Sequence, residues 1–287
     1  MAGKDHLGIN MARPDGIFQT DMSDSMDHHT RATPAPHRRV GALFVLFAGL
    51  WCAGLSQAAE LVVWSAGAVQ APLAQLVSEY EKASGHSVKV EYAPVGVWMR
   101  RLAQPAKPDV LVISQDVLDT VHNNSWTVPS SAMPLGRVGV GVAVAEGAAR
   151  PDISSPQALR QALLNAKSIT YMDPNKGTSG KHFAWVLEQL GIAEQMKSKT
   201  KLGDVGFVVE PVARGEVELG IQQITEILPV AGTRLLGPLP EPLQKITTYY
   251  ITQTVQAQEA AVAGDFIAFV TSTRARAVFV EKGFAAP

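Results

Sequence analysis

The stretch Asp173-Pro-Asn-Lys-Gly-Thr-Ser-Gly-Lys-His182 separates two apolar segments of the chain. Before it, Ser168-Ile-Thr-Tyr171 has the composition of a short buried strand. After it, Phe183–Leu190 carries apolar residues at helical spacing and is followed by Gly191, a typical helix stop. The pattern therefore predicts a strand, a glycine-rich turn and a helix, which is the repeating unit of α/β proteins.

This turn has the chemistry of an anion site. The start of a helix leaves backbone N–H groups without partners and carries partial positive charge. Gly177 and Gly180 allow a ligand to approach these groups, and the hydroxyls of Thr178 and Ser179 add donors. We expect a small oxyanion here, either a carboxylate or a tetrahedral oxoanion. The alternative is that Thr178 or Ser179 only caps the helix. The spacing of glycine, lysine and hydroxyl excludes a P-loop.

Lys181 and His182 follow directly and are the candidate catalytic residues if the protein is an enzyme. As second and third residues of a helix they would oppose its dipole unless an anion lies nearby. His182 has a side chain that can act as a general base near neutral pH. The alternative is a pair of side chains that face solvent.

Other strands also end in turns of small or polar residues. Strands are predicted at 61–64, 87–92, 109–113 and 217–221, alternating with helices, which indicates a parallel sheet covered on both faces. Ligands bind at the carboxyl ends of such strands. The predicted ligand-binding residues are those at these ends and in the glycine-rich turn: Ser65, Gly67, Ala68, Gly96, Ser114, Gln115, Gly177, Thr178, Ser179, Gly180, Lys181, Gln222 and Gln223.

The beginning of the chain has the pattern of an export signal. Residues 1–36 lack apolar periodicity, and we interpret them as a disordered leader or the product of an upstream start site. The basic His37–Arg39 precedes the apolar run Val40–Leu50, and Ser56 and Ala58 are the small residues before a cleavage site. This order predicts a secretory signal peptide cleaved after Ala58, and hence a periplasmic protein. An uncleaved anchor is the alternative, although the apolar run is short for a membrane span.

The composition restricts the classes of function. The chain has 287 residues, is 46% hydrophobic and 18% charged, and carries a net charge of −1. This balance does not suggest nucleic-acid binding. Cys52 is the only cysteine and lies in the predicted leader, so the mature chain has neither disulfides nor cysteine-bound metal. No close His, Asp and Glu spacing indicates a metal, and we expect no cofactor.

Several segments, taken in order, identify a family. Glu60–Ser65, Tyr80-Glu-Lys-Ala-Ser-Gly85, Pro108-Asp-Val-Leu-Val-Ile113, Val212-Ala-Arg-Gly-Glu-Val-Glu-Leu-Gly220 and Phe266-Ile-Ala-Phe-Val-Thr-Ser272 resemble successive segments of periplasmic solute-binding proteins of the molybdate-binding type. The resemblance covers residues 60–285.

The resemblance implies the α/β, type II periplasmic binding protein fold, with two lobes, a ligand cleft and two chain crossings. Lobe one is expected at 59–136 with 237–287, and lobe two at 137–236. The implied function is capture of a small anion for an ABC-type transporter in the inner membrane, by a monomer.

Two turns depart from the molybdate-binding pattern. The family places a serine in each of two loops, whereas the matching stretches here read Gly67-Ala-Val-Gln70 and Ala93-Pro-Val-Gly96. The loss of both hydroxyls favours a small carboxylate over molybdate. The resemblance includes aconitate isomerases built on the same fold. The alternative function is therefore a periplasmic isomerase of a small unsaturated tricarboxylate.

Overall fold

The computed structural model describes residues 58–105 and 107–287, where strands alternate with helices. The predicted leader and signal peptide lie outside the described residues. The strands are β1 Glu60–Ala66, β2 Ser87–Ala93, β3 Val110–Ser114, β4 Met133–Ala145, β5 Ile169–Met172, β6 Thr200–Gly203, β7 Leu219–Gln223, β8 Thr233–Pro238 and β9 Ile246–Gln253. The helices are α1 Gln70–Ser84, α2 Val95–Leu102, α3 Leu118–Asn123, α4 Pro156–Asn165, α5 Thr178–Gln189, α6 Ala193–Lys197, α7 Glu210–Ala213, α8 Ile224–Ile227, α9 Ala260–Val270 and α10 Thr273–Glu281.

The strands form a mixed sheet in the order β2-β1-β3-β9-β4-β7-β5-β6, and β8 pairs with β4. Two groups are parallel, as predicted: β1 with β2 and β3, and β5 with β6 and β7. Strands β4, β8 and β9 are antiparallel to their neighbours, which the sequence did not predict. Buried strands of either direction are apolar, and only the tertiary pairing distinguishes them.

Strand β4 connects the two parallel groups. Its first part, from Met133 to Gly139, pairs with β9, and its second part, from Val140 to Ala143, pairs with β7. Around these groups lie two separate large hydrophobic clusters. The first is built on β1, β3, α1 and α9, and the second on β5, β7, α4 and α5. The lobe boundaries expected from the sequence stay a prediction.

One helix is very short and one tryptophan is exposed. Helix α7 spans only Glu210–Ala213, with Pro211 in its first turn, where proline is tolerated. Trp64 is buried, whereas Trp185 is 41% exposed. Among the described helices, none has both the length and the apolar character required to cross a bilayer.

Candidate ligand-binding site

A central cavity of about 350 Å³ lies where the ends of β1, β2, β5 and β7 meet the helices that follow them. Its volume lies within the range of small-molecule pockets. Of the predicted ligand-binding residues, those that line it are Gly67, Ala68, Gly177, Thr178, Ser179 and Gln223. The other lining residues are Ala66, Gln70, Tyr92, Ala93, Pro94, Val95, Met172, Val205, Gly206, Glu226 and Tyr249.

The first turn of α5 forms one wall. Gly177 is the N-cap residue, and no side chain caps this helix. The hydroxyls of Thr178 and Ser179 are therefore not consumed in capping, which was the alternative interpretation of the sequence. Gly180 does not line the cavity, because it packs against strand β5, where a Cβ would collide with the carbonyl of Met172. A glycine is therefore required at this position so that α5 can pack closely against β5, and not so that a ligand can approach.

The turn after β1 forms a second wall. Gly67 and Ala68 line the cavity, whereas Ser65 is fully buried behind it and its Oγ donates to the Ala66 carbonyl at 3.1 Å. Trp98 holds this turn, since its Nε1 donates to the Ser65 carbonyl at 2.9 Å. The predicted contribution of Ser65 is therefore a backbone position rather than a free hydroxyl.

Of three further candidates, two lie where the walls meet. Ser114 is buried, and its Oγ is 3.4 Å from Oγ1 of Thr178. Gly96 donates its N–H to the Lys176 carbonyl at 2.9 Å. Gln115 is exposed and lines neither this cavity nor the adjoining one. Ser114 and Gly96 thus connect strand-end turns from the two parallel groups.

The end of β7 supplies two buried amides in different roles. Gln222 donates from Nε2 to the Gly206 carbonyl at 3.0 Å, behind the cavity lining. Gln223 lines the cavity, and its Nε2 donates to the Tyr249 hydroxyl at 3.3 Å. The Oε1 atom of Gln223 is buried without a hydrogen-bond partner. A buried polar atom without a partner is costly, so a bound ligand that supplies a partner is favoured.

Glu226 is a cavity residue that was not predicted from the sequence. It lies in the first turn of α8 and is only 7% exposed. Burial raises the pKa of its carboxyl to about 8, although hydrogen bonds from the Gln222 side chain and the Gln223 backbone act in the opposite direction. The sequence predicts ligand-binding residues at the strand ends themselves, which here means as far as Gln223. Glu226 lies in the helical turn that follows this strand end.

Tyrosines provide the remaining titratable groups of the lining. Burial raises the pKa of Tyr92 to about 12, and burial together with the Glu226 carboxyl raises the pKa of Tyr249 far above its usual range. Both phenols are therefore neutral at physiological pH. No Lys, Arg or His is among the described residues that line the central cavity. Its polar groups are backbone N–H groups, hydroxyls, amides and one carboxyl.

Lys181 and His182 line an adjoining, more open cavity instead. They are the fourth and fifth residues of α5, not the second and third as expected. The His182 Nε2 atom lies 2.8 Å from the Leu243 carbonyl, and the ring stacks on Trp185. Burial lowers the pKa of His182, which favours the neutral ring. Within the described residues no cluster of His, Cys, Asp or Glu has the arrangement of a metal site.

Comparison with known proteins shows which proteins this chain is similar to. Residues 61–285 match the family of bacterial extracellular solute-binding proteins. An aconitate isomerase from Pseudomonas sp is 28% identical over 254 residues, which cover 86% of this chain and 95% of the relative. The molybdate-binding protein ModA from Azotobacter vinelandii is 27% identical over 198 residues, which cover 66% of this chain and 77% of the relative.

The solved structures agree in fold. The periplasmic molybdate-binding protein of Azotobacter vinelandii superimposes with a TM-score of 0.68 at 19% identity, covering 79% of this chain and 99% of the other. The fold is that of type II periplasmic binding proteins, and the predicted fold class is confirmed.

Proposed function

Because this chain belongs to the bacterial extracellular solute-binding proteins, we propose that it captures a small anion in the periplasm and delivers it to an ABC-type permease. The favoured ligand is a di- or tricarboxylate. Members of this family deliver ligands to inner-membrane permeases. Export by a cleaved signal peptide and a monomeric state belong to the same proposal.

The observation that carries this proposal is the composition of the cavity walls. The N-terminal turn of α5 and the turn at Gly67–Val69 present helix starts to the cavity, and the hydroxyls of Thr178 and Ser179 lie beside them. Such groups stabilise negative charge without a countercharge from lysine or arginine. The buried Gln223 adds a polar group that lacks a partner.

The cavity volume favours a carboxylate of several carbons over a single oxoanion. A volume of about 350 Å³ corresponds to roughly ten water molecules at about 30 Å³ each. A four-oxygen anion would leave much of that space to water. Moreover, Ala68 and Val95 line the cavity at the two positions where the molybdate-binding pattern has serine, and their side chains offer no donor.

A thermal-shift screen of the purified protein tests the proposal. The anions are molybdate, tungstate, sulfate, succinate, citrate, cis-aconitate and trans-aconitate, with spermidine and a neutral sugar as controls. A ligand at about 100 times its Kd stabilises the folded state by about 2.7 kcal/mol, which raises Tm measurably. We expect the carboxylates to give the largest shifts. Stabilisation by the controls alone would contradict an anion-binding function.

The second candidate function is isomerisation of a small unsaturated tricarboxylate. The relative named as an aconitate isomerase aligns over nearly its whole length. Moving a proton along such a substrate requires an acid–base group within reach of the reacting carbon. In the central cavity that group would be Glu226, since Lys181 and His182 line the adjoining cavity.

Incubation with cis- and trans-aconitate, followed by chromatography, separates the two functions. Interconversion that is lost in Glu226→Gln would favour the enzyme. Stabilisation by the same compounds without any change in their composition would favour the binding protein.

A further inference from the structure

Glu226 is an unexpected group for the wall of an anion site. It is the only carboxyl among the described residues that line the central cavity. Its Oε1 atom lies 2.7 Å from the position that a Cβ on Gly67 would occupy, so the glycine makes room for the carboxyl beside the turn after β1. An ionised carboxylate here would repel an anionic ligand.

No cation neutralises Glu226 within the described part of the chain. Helix α8 packs against α1, β4, β7, β8 and the Gly67–Val69 turn, and the titratable group that interacts with the carboxyl is Tyr249. Four charged side chains of these elements interact with other groups. Arg137 donates to the Ala286 carbonyl, Arg234 and Glu79 form ion pairs with Glu146 and Arg274, and Glu81 accepts from the Val88 N–H. Lys82, also on α1, is exposed.

A buried carboxyl without a cation is more stable in its neutral form, because removing an isolated charge from water is costly. A neutral acid has a hydroxyl that donates a hydrogen bond. The unpaired Oε1 of Gln223 lies among the same lining residues, so the end of β7 presents a polar atom that the protein itself leaves without a partner.

We propose that Glu226 binds the ligand as a neutral carboxylic acid, donating its O–H to an ionised carboxylate of a small di- or tricarboxylate. This inference rests on the proposed anion-binding function and adds to it a specificity-determining residue. The hydrogen bond is charge-assisted, because the acceptor is ionised. Ionisation of Glu226 removes the donor and places a like charge beside the ligand.

The proposal predicts how affinity depends on pH. The pKa of Glu226, raised to about 8, means that the donor is present at pH 7 and is lost as the pH rises through 8. Affinity should be constant near pH 7 and fall about tenfold for each pH unit well above 8. Binding at pH 9 should take up close to one proton. Tyr92 and Tyr249 remain protonated over this range, since burial raises the pKa of Tyr92 to about 12 and the pKa of Tyr249 far above its usual range.

Calorimetric titration with trans-aconitate at pH 7, 8 and 9 tests this, because that probe is fully ionised throughout. Two buffers of different ionisation enthalpy at each pH report the proton uptake. In the unmodified protein we expect roughly tenfold weaker binding at pH 9 than at pH 7. Equal affinity at both pH values, without proton uptake, would overturn the proposal.

Variants provide an independent measurement. Glu226→Gln keeps a donor that does not titrate, so it should bind within a few-fold of the unmodified protein at pH 7 and lose the pH dependence. Glu226→Ala should bind at least tenfold more weakly at pH 7. The matched control is Glu259→Gln, since Glu259 is exposed and caps no helix with its side chain. A normal pH profile in Glu226→Gln would contradict the proposal.

Failure of this inference is distinguishable from failure of the proposed function. If trans-aconitate binds with pH-independent affinity, the anion-binding function stands and the role of Glu226 is wrong. If no carboxylate in the screen binds at any pH, the proposed function itself is wrong and this inference falls with it.

Discussion

A methyl group added at Gly96 should weaken ligand binding without unfolding the protein. Gly96, in the first turn of α2, donates its N–H to the Lys176 carbonyl at 2.9 Å. A Cβ at this position would lie 2.7 Å from the Lys176 oxygen and 3.2 Å from the Asn175 oxygen. Both neighbours are backbone atoms of the turn before α5. The clash is therefore relieved only if α2 and this turn move apart.

The free-energy cost of the added methyl group has two sources, a lost hydrogen bond and a steric clash. A missing hydrogen bond costs about 0.5–1.5 kcal/mol, and overpacking costs about 1–3 kcal/mol. The sum, roughly 1.5–4.5 kcal/mol, corresponds to about 10- to 1000-fold weaker binding at about 1.4 kcal/mol per tenfold. We expect the free protein to avoid most of this cost by opening the cleft, because hinge closure around a ligand is a common motion of two-lobed proteins. The cost would then fall on the closed, ligand-bound form.

Calorimetry with trans-aconitate and a melting curve of the free protein together test Gly96→Ala. We expect weaker binding and a nearly unchanged Tm of the free protein. The matched control is Gly264→Ala, since Gly264 lies within α9 and has no atom within 4 Å of an added Cβ. That control should gain up to about 1 kcal/mol of stability and keep normal affinity. Normal affinity in Gly96→Ala would refute the reasoning.

Three further outcomes are expected. Molybdate should bind roughly two to four orders of magnitude more weakly than the tightest carboxylate in calorimetry, because Ala68 and Val95 each remove a hydrogen bond worth about 1.5–3 kcal/mol to a charged ligand. Submicromolar molybdate binding without heat from carboxylates would contradict this. Gly180→Ala should lower Tm by about 4–8 °C in a melting curve, since an overpacking cost of roughly 2 kcal/mol acts on a protein of this size. Phe183→Ala, which empties a fully buried position, should lower the free energy of unfolding in urea by about 3–5 kcal/mol, whereas Trp185→Ala, at an exposed position, should change it far less. Equal losses in these two variants would contradict the assignment of the core.

Elements with strong local signals were predictable from the sequence. Helix α4, Pro156–Asn165, is such an element, because Ser155 caps it by accepting from the Ala158 N–H and proline occupies its first turn. The strand before the glycine-rich turn and the helix after it were also predicted, although the helix starts at Thr178, earlier than placing Lys181 and His182 second and third implied. Such signals act within a few residues, so the linear sequence contains them.

The candidate site was predictable only in part. The turns after β1, β5 and β7 do meet at one cavity, because parallel strands bring their carboxyl ends to one edge. Individual side chains did not follow from that rule. Ser65 and Gln222 are bonded to neighbouring carbonyls, and Lys181 points to a different cavity. Which polar atoms are left free depends on neighbours that are distant in sequence.

The sequence by itself determined the α/β class, the family and the glycine-rich turn, since each depends on residue type and spacing alone. The tertiary structure decided the direction of β4, β8 and β9 and the meeting of Glu226 with Gly67 and Tyr249 in one wall. The raised pKa of Glu226 likewise depends on the tertiary structure, because a pKa is set by burial and by neighbouring charges, and both exist only once distant segments have packed together.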